Sequence, residues 1–251
     1  MNKIISTTNQ KIKDYSKLNL KKHRDSSKYF IVEGYKSYEE INQSGITIVD
    51  IFVLEKDINK YVFNNQITIC NEAVMKKLSS TQSPPSVVTV AVKPSQDVSA
   101  LKNAKNIALL ENVKDAGNLG TIIRSAAAFG IDGIILLGDT VDIYNQKVIR
   151  SAAGNFFKLP ILTLYSIDEL KHNFSDFTLV STALNNKRSY VFKPQQEKRI
   201  FMFGAEAEGI STELSKIADY NYVIPMNSNV ESLNLSVAAS IVFYECFKSN
   251  S

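Results

Sequence analysis

Histidine and cysteine are almost absent from this 251-residue chain, which has only His23 and His172, Cys70 and Cys246. Neither pair has the close spacing of metal ligands, which argues against a zinc site and a histidine-based triad. Catalysis must then run on Arg, Lys, Glu, Asp, Ser, Asn or Tyr. The two cysteines read as buried free thiols, with a disulfide as the alternative. Long apolar runs are also missing. None approaches the roughly 18 residues of a membrane span, and the Lys- and Asn-rich start has no signal-peptide core. A cytoplasmic protein with no membrane segment is the expectation. There is no G-x-G-x-x-G or Walker pattern, which removes the ordinary dinucleotide and P-loop readings. No internal repeat or low-complexity tract is present.

The chain does have an ordinary globular composition, 44% hydrophobic and 22% charged, with a net charge of +4,. That charge is unevenly placed. Residues 1–28 hold eight of the 29 basic residues (Lys3, Lys11, Lys13, Lys17, Lys21, Lys22, Arg24, Lys28) and two of the 25 acids. The remainder, with 21 basic and 23 acidic residues, is near neutral. A concentrated basic segment on a near-neutral body suits attraction to a phosphate backbone; a solvated basic helix without a partner is the other reading.

Two α/β segments are legible. In the first, 4–20 reads as one or two short helices, 29–32 as a strand, and 35–44 as a helix stopped by Gly45. Strands at 46–54 and 67–69, a helix near 71–79 and a strand at 87–92 complete it. The polar stretch 94–105 reads as a linker, giving domains at 1–93 and 106–251. Beyond it, strands at 107–111, 133–138, 161–164, 178–182, 199–204 and 221–225 alternate with helices at 119–129, 145–153, 211–217 and 234–248. Such alternation predicts a mostly parallel sheet covered on both faces.

Three loops carry the chemistry. The first, Glu111–Gly120, joins a buried strand to a helix closed by Gly130, with Arg124 expected in that helix's second turn, near an anion-binding N-terminus. In the second, the apolar strand 200–203 runs into Gly204-Ala-Glu206-Ala-Glu-Gly209, where glycine allows close backbone approach, and Ser211 or Thr212 caps the next helix. In the third, Pro225 ends a strand, and a polar loop leads to Ser232 and Asn234, which suit the cap of a helix burying Leu235, Ala238, Ala239, Val242 and Phe243. Each has a bland alternative: an exposed helical arginine, a solvated strand–helix turn, a capped apolar helix.

Together these motifs resemble the SpoU/TrmH family of RNA ribose 2′-O-methyltransferases, of the SPOUT class. Asn118, Gly120, Arg124, Ala126, Phe129 and Gly130 match the first family motif. Phe203, Gly204, Glu206 and Gly209 match the second, and Ile224 through Ala239 the third, with Ser228 where the family often has glycine. Ile5-Ser6, Asn9, Lys11-Ile12-Lys13, Leu18, Lys22, Arg24 and Phe30–Gly34 resemble the substrate-binding domain of the rRNA-acting members, an α/β domain similar to a small ribosomal protein (L30e-like). The resemblance implies a mostly parallel α/β domain with a deep trefoil knot, a homodimer through that domain, S-adenosylmethionine as cofactor, no metal, and RNA as partner, rRNA ahead of tRNA.

By the same resemblance the cofactor pocket falls on Thr182, Ala183, Gly204, Glu206, Gly209, Ile224, Met226, Ser232, Leu233 and Asn234. Catalysis falls on Arg124, with Asn118, Glu206, Ser232 and Asn234 orienting the reactants. RNA contacts fall on Lys11, Lys13, Lys21, Lys22, Arg24 and Arg124. A guanidinium holds its proton too firmly for a general base, so Arg124 reads better as a phosphate clamp that stabilises developing oxyanion charge. An inactive RNA-binding protein would show damage at these positions. A nicotinamide-dependent enzyme would need the missing glycine fingerprint.

Overall fold

Short β-branched runs alternate with helical stretches, and they build two separate sheets in the computed structural model, which describes residues 2–182, 188–192 and 197–250. The chain divides into two compact units. One is Met1–Ser95 with Asp142–Arg150; the other is Gln96–Val141 with Ser151–Ser251.

The first unit runs β1 (Asn2–Ile4), α1 (Gln10–Ser16), α2 (Lys21–Asp25), β2 (Tyr29–Glu33), α3 (Tyr35–Ser44), β3 (Ile48–Leu54), β4 (Thr68–Cys70), α4 (Glu72–Leu78) and β5 (Val87–Val92). Its sheet has the order β1-β4-β3-β5-β2, with β5 antiparallel to both neighbours and the other pairs parallel. One face buries Ile12 of α1 and Val74, Met75 and Leu78 of α4 against Ile31, Phe52, Val88 and Val90. The opposite face packs Tyr38 of α3 on Ile51, Val53 and Val87. Gly45, at φ 78°, ends α3 in the left-handed region as its sequence position implies,.

Two features of this unit depart from local pattern. Residues 2–4 form a strand where only helix is legible nearby, because their hydrogen-bonding partner, Thr68–Cys70, lies over 60 residues away. Arg24, a candidate phosphate ligand, is only 4% exposed. Its guanidinium donates to Asp142 Oδ2 at 2.6 Å and to the Leu18 carbonyl at 2.9 Å. That commitment takes it away from solvent and from RNA. Gln146 Nε2 donates to the Ile31 carbonyl at 2.5 Å, so 142–150 is held to this sheet by polar groups as well as by Tyr144 against Phe30.

The second unit comprises β6 (Asn106–Glu111), α5 (Ala116–Ala128), β7 (Gly133–Leu137), β8 (Ile161–Leu164), α7 (Ile167–Asn173), β9 (Thr178–Ser181), β10 (Arg188–Ser189), β11 (Arg199–Phe203), α8 (Thr212–Ile217), β12 (Tyr220–Asn221) and α9 (Leu235–Asn250). Helix α6 (Gln146–Ser151) lies between β7 and β8 in sequence. The seven strands are ordered β10-β12-β9-β11-β6-β7-β8, and every pair is parallel. All positions of β6, β7 and β11 are buried, as a parallel sheet covered on both faces requires,. The stretch 94–105 read as linker carries a 3-10 turn, Val98–Leu101, whose Leu101 is fully buried in this unit's core.

Several boundaries differ from the sequence expectation for physical reasons. Helix α5 begins at Ala116, three residues early, because the Asp115 carboxylate accepts the Asn118 N–H at 2.8 Å and caps it. The strand expected over 221–225 is only two residues long, Tyr220–Asn221, and pairs with Val180–Ser181 at the end of β9. Helix α7, capped by Ser166, and the two-residue β10 were not legible as elements. Arg199, 1% exposed, donates to Asn106 Oδ1 and Tyr190 OH and lies over the Phe201 ring.

Both cysteines are buried and free. Burial pushes the Cys70 thiol up to about 11 and raises Cys246 as well,. Both thiols therefore stay protonated near neutrality, and a thiol reagent at pH 8 is expected to label neither until the chain is unfolded in urea; rapid labelling of the native protein would contradict this burial. Asp142→Ala, which strands the Arg24 guanidinium without its counter-charge, should cost about 3–5 kcal/mol in urea unfolding, and Arg24→Met with Asp142→Leu should recover most of it.

Candidate active site

The carboxyl ends of β9 and β11 and the chain beyond β12 converge on one cavity of about 400 Å³. Open parallel sheets place ligands beyond this edge, because the strand ends and following helices leave backbone groups free there. Three loops form the site, and each is shaped by its own residues.

The glycine loop after β11 is the tightest. A Cβ built on Gly204 would lie 1.9–2.1 Å from the backbone of Gly209 and Ile210, which no side chain tolerates. Ala205 and Gly209 exchange N–H···O=C bonds of 3.1 and 2.9 Å, and Gly209 sits at φ 70°, so the chain folds back on itself over Glu206–Glu208,. The loop is closed by α8, whose cap is Ser211: its Oγ accepts the Leu214 N–H at 3.2 Å. Ser211 is in turn gripped by Glu111, at the end of β6. The Ser211 N–H and Oγ–H donate to the two carboxylate oxygens at 2.7 and 2.6 Å. Glu111 is 6% exposed. Its part in the site went unrecognised in the sequence, where it is one acid in a polar turn. The only available signal was an acid ending an otherwise apolar strand.

The first and third loops meet the glycine loop at Asn118. Its Nδ2 donates to Glu206 Oε1 at 2.9 Å, and its Oδ1 accepts from Asn234 Nδ2 at 3.1 Å. Asn234 also caps α9, its Oδ1 accepting from the Ser236 N–H at 2.9 Å. Ser125 and Ser240 join α5 to α9 one layer further along, at 2.7 Å. Residues from three motifs, 88 and 116 positions apart, thus share one hydrogen-bonded group.

The structure brings most of the sequence-predicted residues together. Thr182, Gly204, Glu206, Gly209, Ile224, Met226, Ser232 and Leu233 all line the cavity. Thr182 is oriented by donating its Oγ1–H to the Met202 carbonyl at 2.9 Å. Asn118 and Asn234 stand beside it through the bonds above. Ala183 lies outside the described residues. Arg124 is not part of this group. Since α5 starts early, Arg124 is its ninth residue and belongs to the third turn rather than the second. It is exposed and makes no side-chain hydrogen bond or ion pair among the described residues. It lies six positions beyond Asn118 on the helix, about 9 Å along the axis and about 120° around it. The guanidinium is therefore free for an external anion.

The lining suits a ligand with a flat apolar part and a cationic part. Ile210, Leu233 and Leu235 supply apolar wall, and the carboxylates of Glu206, Glu208 and Glu231 stand at the opening. The volume lies within the range of roughly 300–1,000 Å³ usual for small-molecule sites. Among the described residues no group of three or more His, Cys, Asp or Glu side chains is placed to hold a metal ion.

A parallel α/β unit whose second and third motif loops wall one cavity, with the first joined to them through Asn118, has the build of a cofactor-using enzyme domain. The SpoU rRNA methylase family model matches residues 105–244, and the chain belongs to that family. The model of the MRM3-like substrate binding domain matches residues 9–89. Among curated relatives, 23S rRNA (guanosine(2553)-2′-O)-methyltransferase RlmP of Bacillus subtilis is 34% identical over 97% of this chain and 98% of its own. The 23S rRNA (uridine(2479)-2′-O)-methyltransferase of Streptomyces viridochromogenes is 27% identical over 77% of this chain and 70% of its own. Among solved structures, the AdoMet-bound rRNA methyltransferase from Sinorhizobium meliloti superposes with a TM-score of 0.86 at 27% identity, covering 98% of this chain and 97% of that one.

Gly204→Ala is expected to force the glycine loop open and to cost about 1–3 kcal/mol of stability in the second unit, as overpacking does. Thermal unfolding of the variant checks this, and an unchanged melting temperature would contradict the closeness of the loop's two strands.

Proposed function

We propose that this chain transfers a methyl group from S-adenosylmethionine to a ribose 2′-hydroxyl of 23S rRNA. The observation that carries the proposal is the Asn118 amide, which links the three motif loops of a SpoU-family chain beside one cavity. Similarity to two 23S rRNA 2′-O-methyltransferases supports the substrate, and the likeness to an AdoMet-bound structure supports the cofactor.

When bound, S-adenosylmethionine supplies a methyl group on a positively charged sulfur. The chain's part is to hold the reactants in line and to exclude water. Backbone of Gly204, Ile224, Met226 and Leu233 would bind the adenine and methionine parts, with Thr182 and Ala183 beside them. Gly209 permits the fold-back that shapes this wall. Carboxylates at the opening favour a cationic ligand over a neutral one. Asn118 holds Glu206 and Asn234 in fixed directions, and with Ser232 this set orients the ribose. Arg124 clamps the phosphate next to the target nucleotide and stabilises negative charge as it grows on the 2′-oxygen. Its proton stays on the guanidinium, so the 2′-hydroxyl proton leaves to phosphate or water.

The finer expectations belong to the same proposal. Residues 1–93 act as the RNA substrate-binding domain, with an L30e-like fold, and 106–251 as the methyltransferase domain, with the chain of its carboxyl half threaded as a deep trefoil knot. The chain is homodimeric in the cytoplasm, the dimer forming on the apolar side of α9, where Val237, Tyr244 and Phe247 are each about half exposed (47%, 48% and 48%). Among the described residues no helix is long and apolar enough to cross a membrane.

The test is transfer of labelled methyl from S-adenosylmethionine to unmodified 23S rRNA and to tRNA, followed by alkaline digestion. Label in alkali-stable dinucleotides from 23S rRNA is the expected result; label only in tRNA would move the substrate, and no transfer to RNA or to large ribosomal subunits would overturn the proposal. Arg124→Ala should lower kcat by about 10²–10³-fold while leaving cofactor affinity unchanged.

A further inference from the structure

The basic character of the first 28 residues is not what the folded surface presents. Lys3 pairs with Glu55, Lys11 with Asp50 at 2.5 Å, Lys17 with Asp14 at 2.8 Å, and Arg24 is buried on Asp142. Four exposed lysines of this stretch, Lys13, Lys21, Lys22 and Lys28, the last lying over the Tyr29 ring, make no side-chain hydrogen bond or ion pair among the described residues. The same is true of Lys76 and Lys77, which lie some fifty residues further along.

Lys13, Lys76 and Lys77 sit on helices that cover one face of the sheet, and Lys21 and Lys22 follow α1 closely in sequence. Helices α1 and α4 cover the same face through Ile12, Val74, Met75 and Leu78. Two side-chain bonds align them. Asn71 Nδ2, at the start of α4, donates to the Ile5 carbonyl ahead of α1, at 2.9 Å. Asn19 Nδ2, just after α1, donates to the Leu78 carbonyl at the end of α4, at 3.0 Å. The two helices therefore run in the same direction and finish together. Lys13 lies in the last turn of α1, and Lys76 and Lys77 in the last turn of α4. Lys21 and Lys22 open α2 within three residues of Asn19. The acids of α1 and α4 are engaged elsewhere, Asp14 by Lys17 and Glu72 by Lys56; Asp25 closes α2.

We infer that Lys13, Lys21, Lys22, Lys76 and Lys77 form one phosphate-tracking surface for the RNA substrate, assembled at the shared end of α1 and α4. The inference rests on the reading that this chain acts on RNA, and it deepens that reading. Unpaired lysines held together on rigid helices pay no ion-pair cost when a phosphate backbone arrives, and they release its counterions on binding. Lysines in a last helical turn also complement the helix dipole. That role would appear in the melting temperature and not in the salt dependence of RNA binding.

Binding of full-length unmodified 23S rRNA transcript, followed over a potassium chloride series, separates these cases. Lys76→Gln with Lys77→Gln, and separately Lys21→Gln with Lys22→Gln, should weaken binding and flatten the plot of log K against log salt by about 0.7–0.9 per lysine removed. Lys3→Gln, Lys56→Gln and Lys60→Gln, which remove lysines already paired with acids, should leave the slope unchanged. Wild-type binding with an unaltered slope in the Lys76/Lys77 variant would overturn the assembled surface and leave the methyltransferase reading standing. No wild-type binding at any salt, together with no methyl transfer to rRNA, would overturn both.

Discussion

Beside the cavity, the side chain of Asn118 uses both ends of its amide. It donates a hydrogen bond to Glu206 and accepts one from Asn234, so loops that follow three different strands are referenced to a single group. Each bond is worth only about 1 kcal/mol in net stability. Their value lies in geometry. A cavity walled by loops is only as well formed as the distances between those loops, and an amide with a donor and an acceptor on one rigid plane can set two such distances at once. A carboxylate could accept twice but give nothing, and a hydroxyl would rotate.

Glu111 does comparable work beneath that layer. Its buried carboxylate accepts hydrogen bonds from both the backbone N–H and the side-chain hydroxyl of Ser211. That fixes where α8 starts, and with it where the loop from Gly204 to Gly209 must close. Buried charged acceptors of this kind are costly unless fully bonded, which is why both oxygens are used. The parallel sheet makes this arrangement possible, since β6 and β11 are neighbours and end on the same edge.

How much of this was legible beforehand varied with the range of the interactions involved. The alternation of strands and helices in the second unit, the caps at Ser211 and Asn234 and the stop at Gly45 follow from residues close in sequence. Asn118, Glu206 and Asn234 were recognisable as a set only because the three motifs occur together. Nothing local says that their side chains touch. Glu111 escaped notice because its partner lies 100 residues away. Helix α5 starts earlier than its apolar pattern suggests because the Asp115 side chain caps it, which moves Arg124 from the second turn to the third.

The sequence by itself determined the chemistry available: no cluster of soft metal ligands, an arginine without a histidine partner, glycines where backbone must approach backbone, and a surplus of lysine near the start. These depend on composition and short-range spacing, which a chain carries before it folds. Tertiary structure alone decided which of those groups would be free to act. Arg24 and Lys11 were neutralised by acids brought to them from positions 142 and 50. Lys76 and Lys77 have no ion-pair partner among the described residues and stand beside the first helix. Whether a charge is spent within the protein or left for a partner depends on what folding places within about 4 Å of it, because Coulomb attraction in water fades beyond close contact.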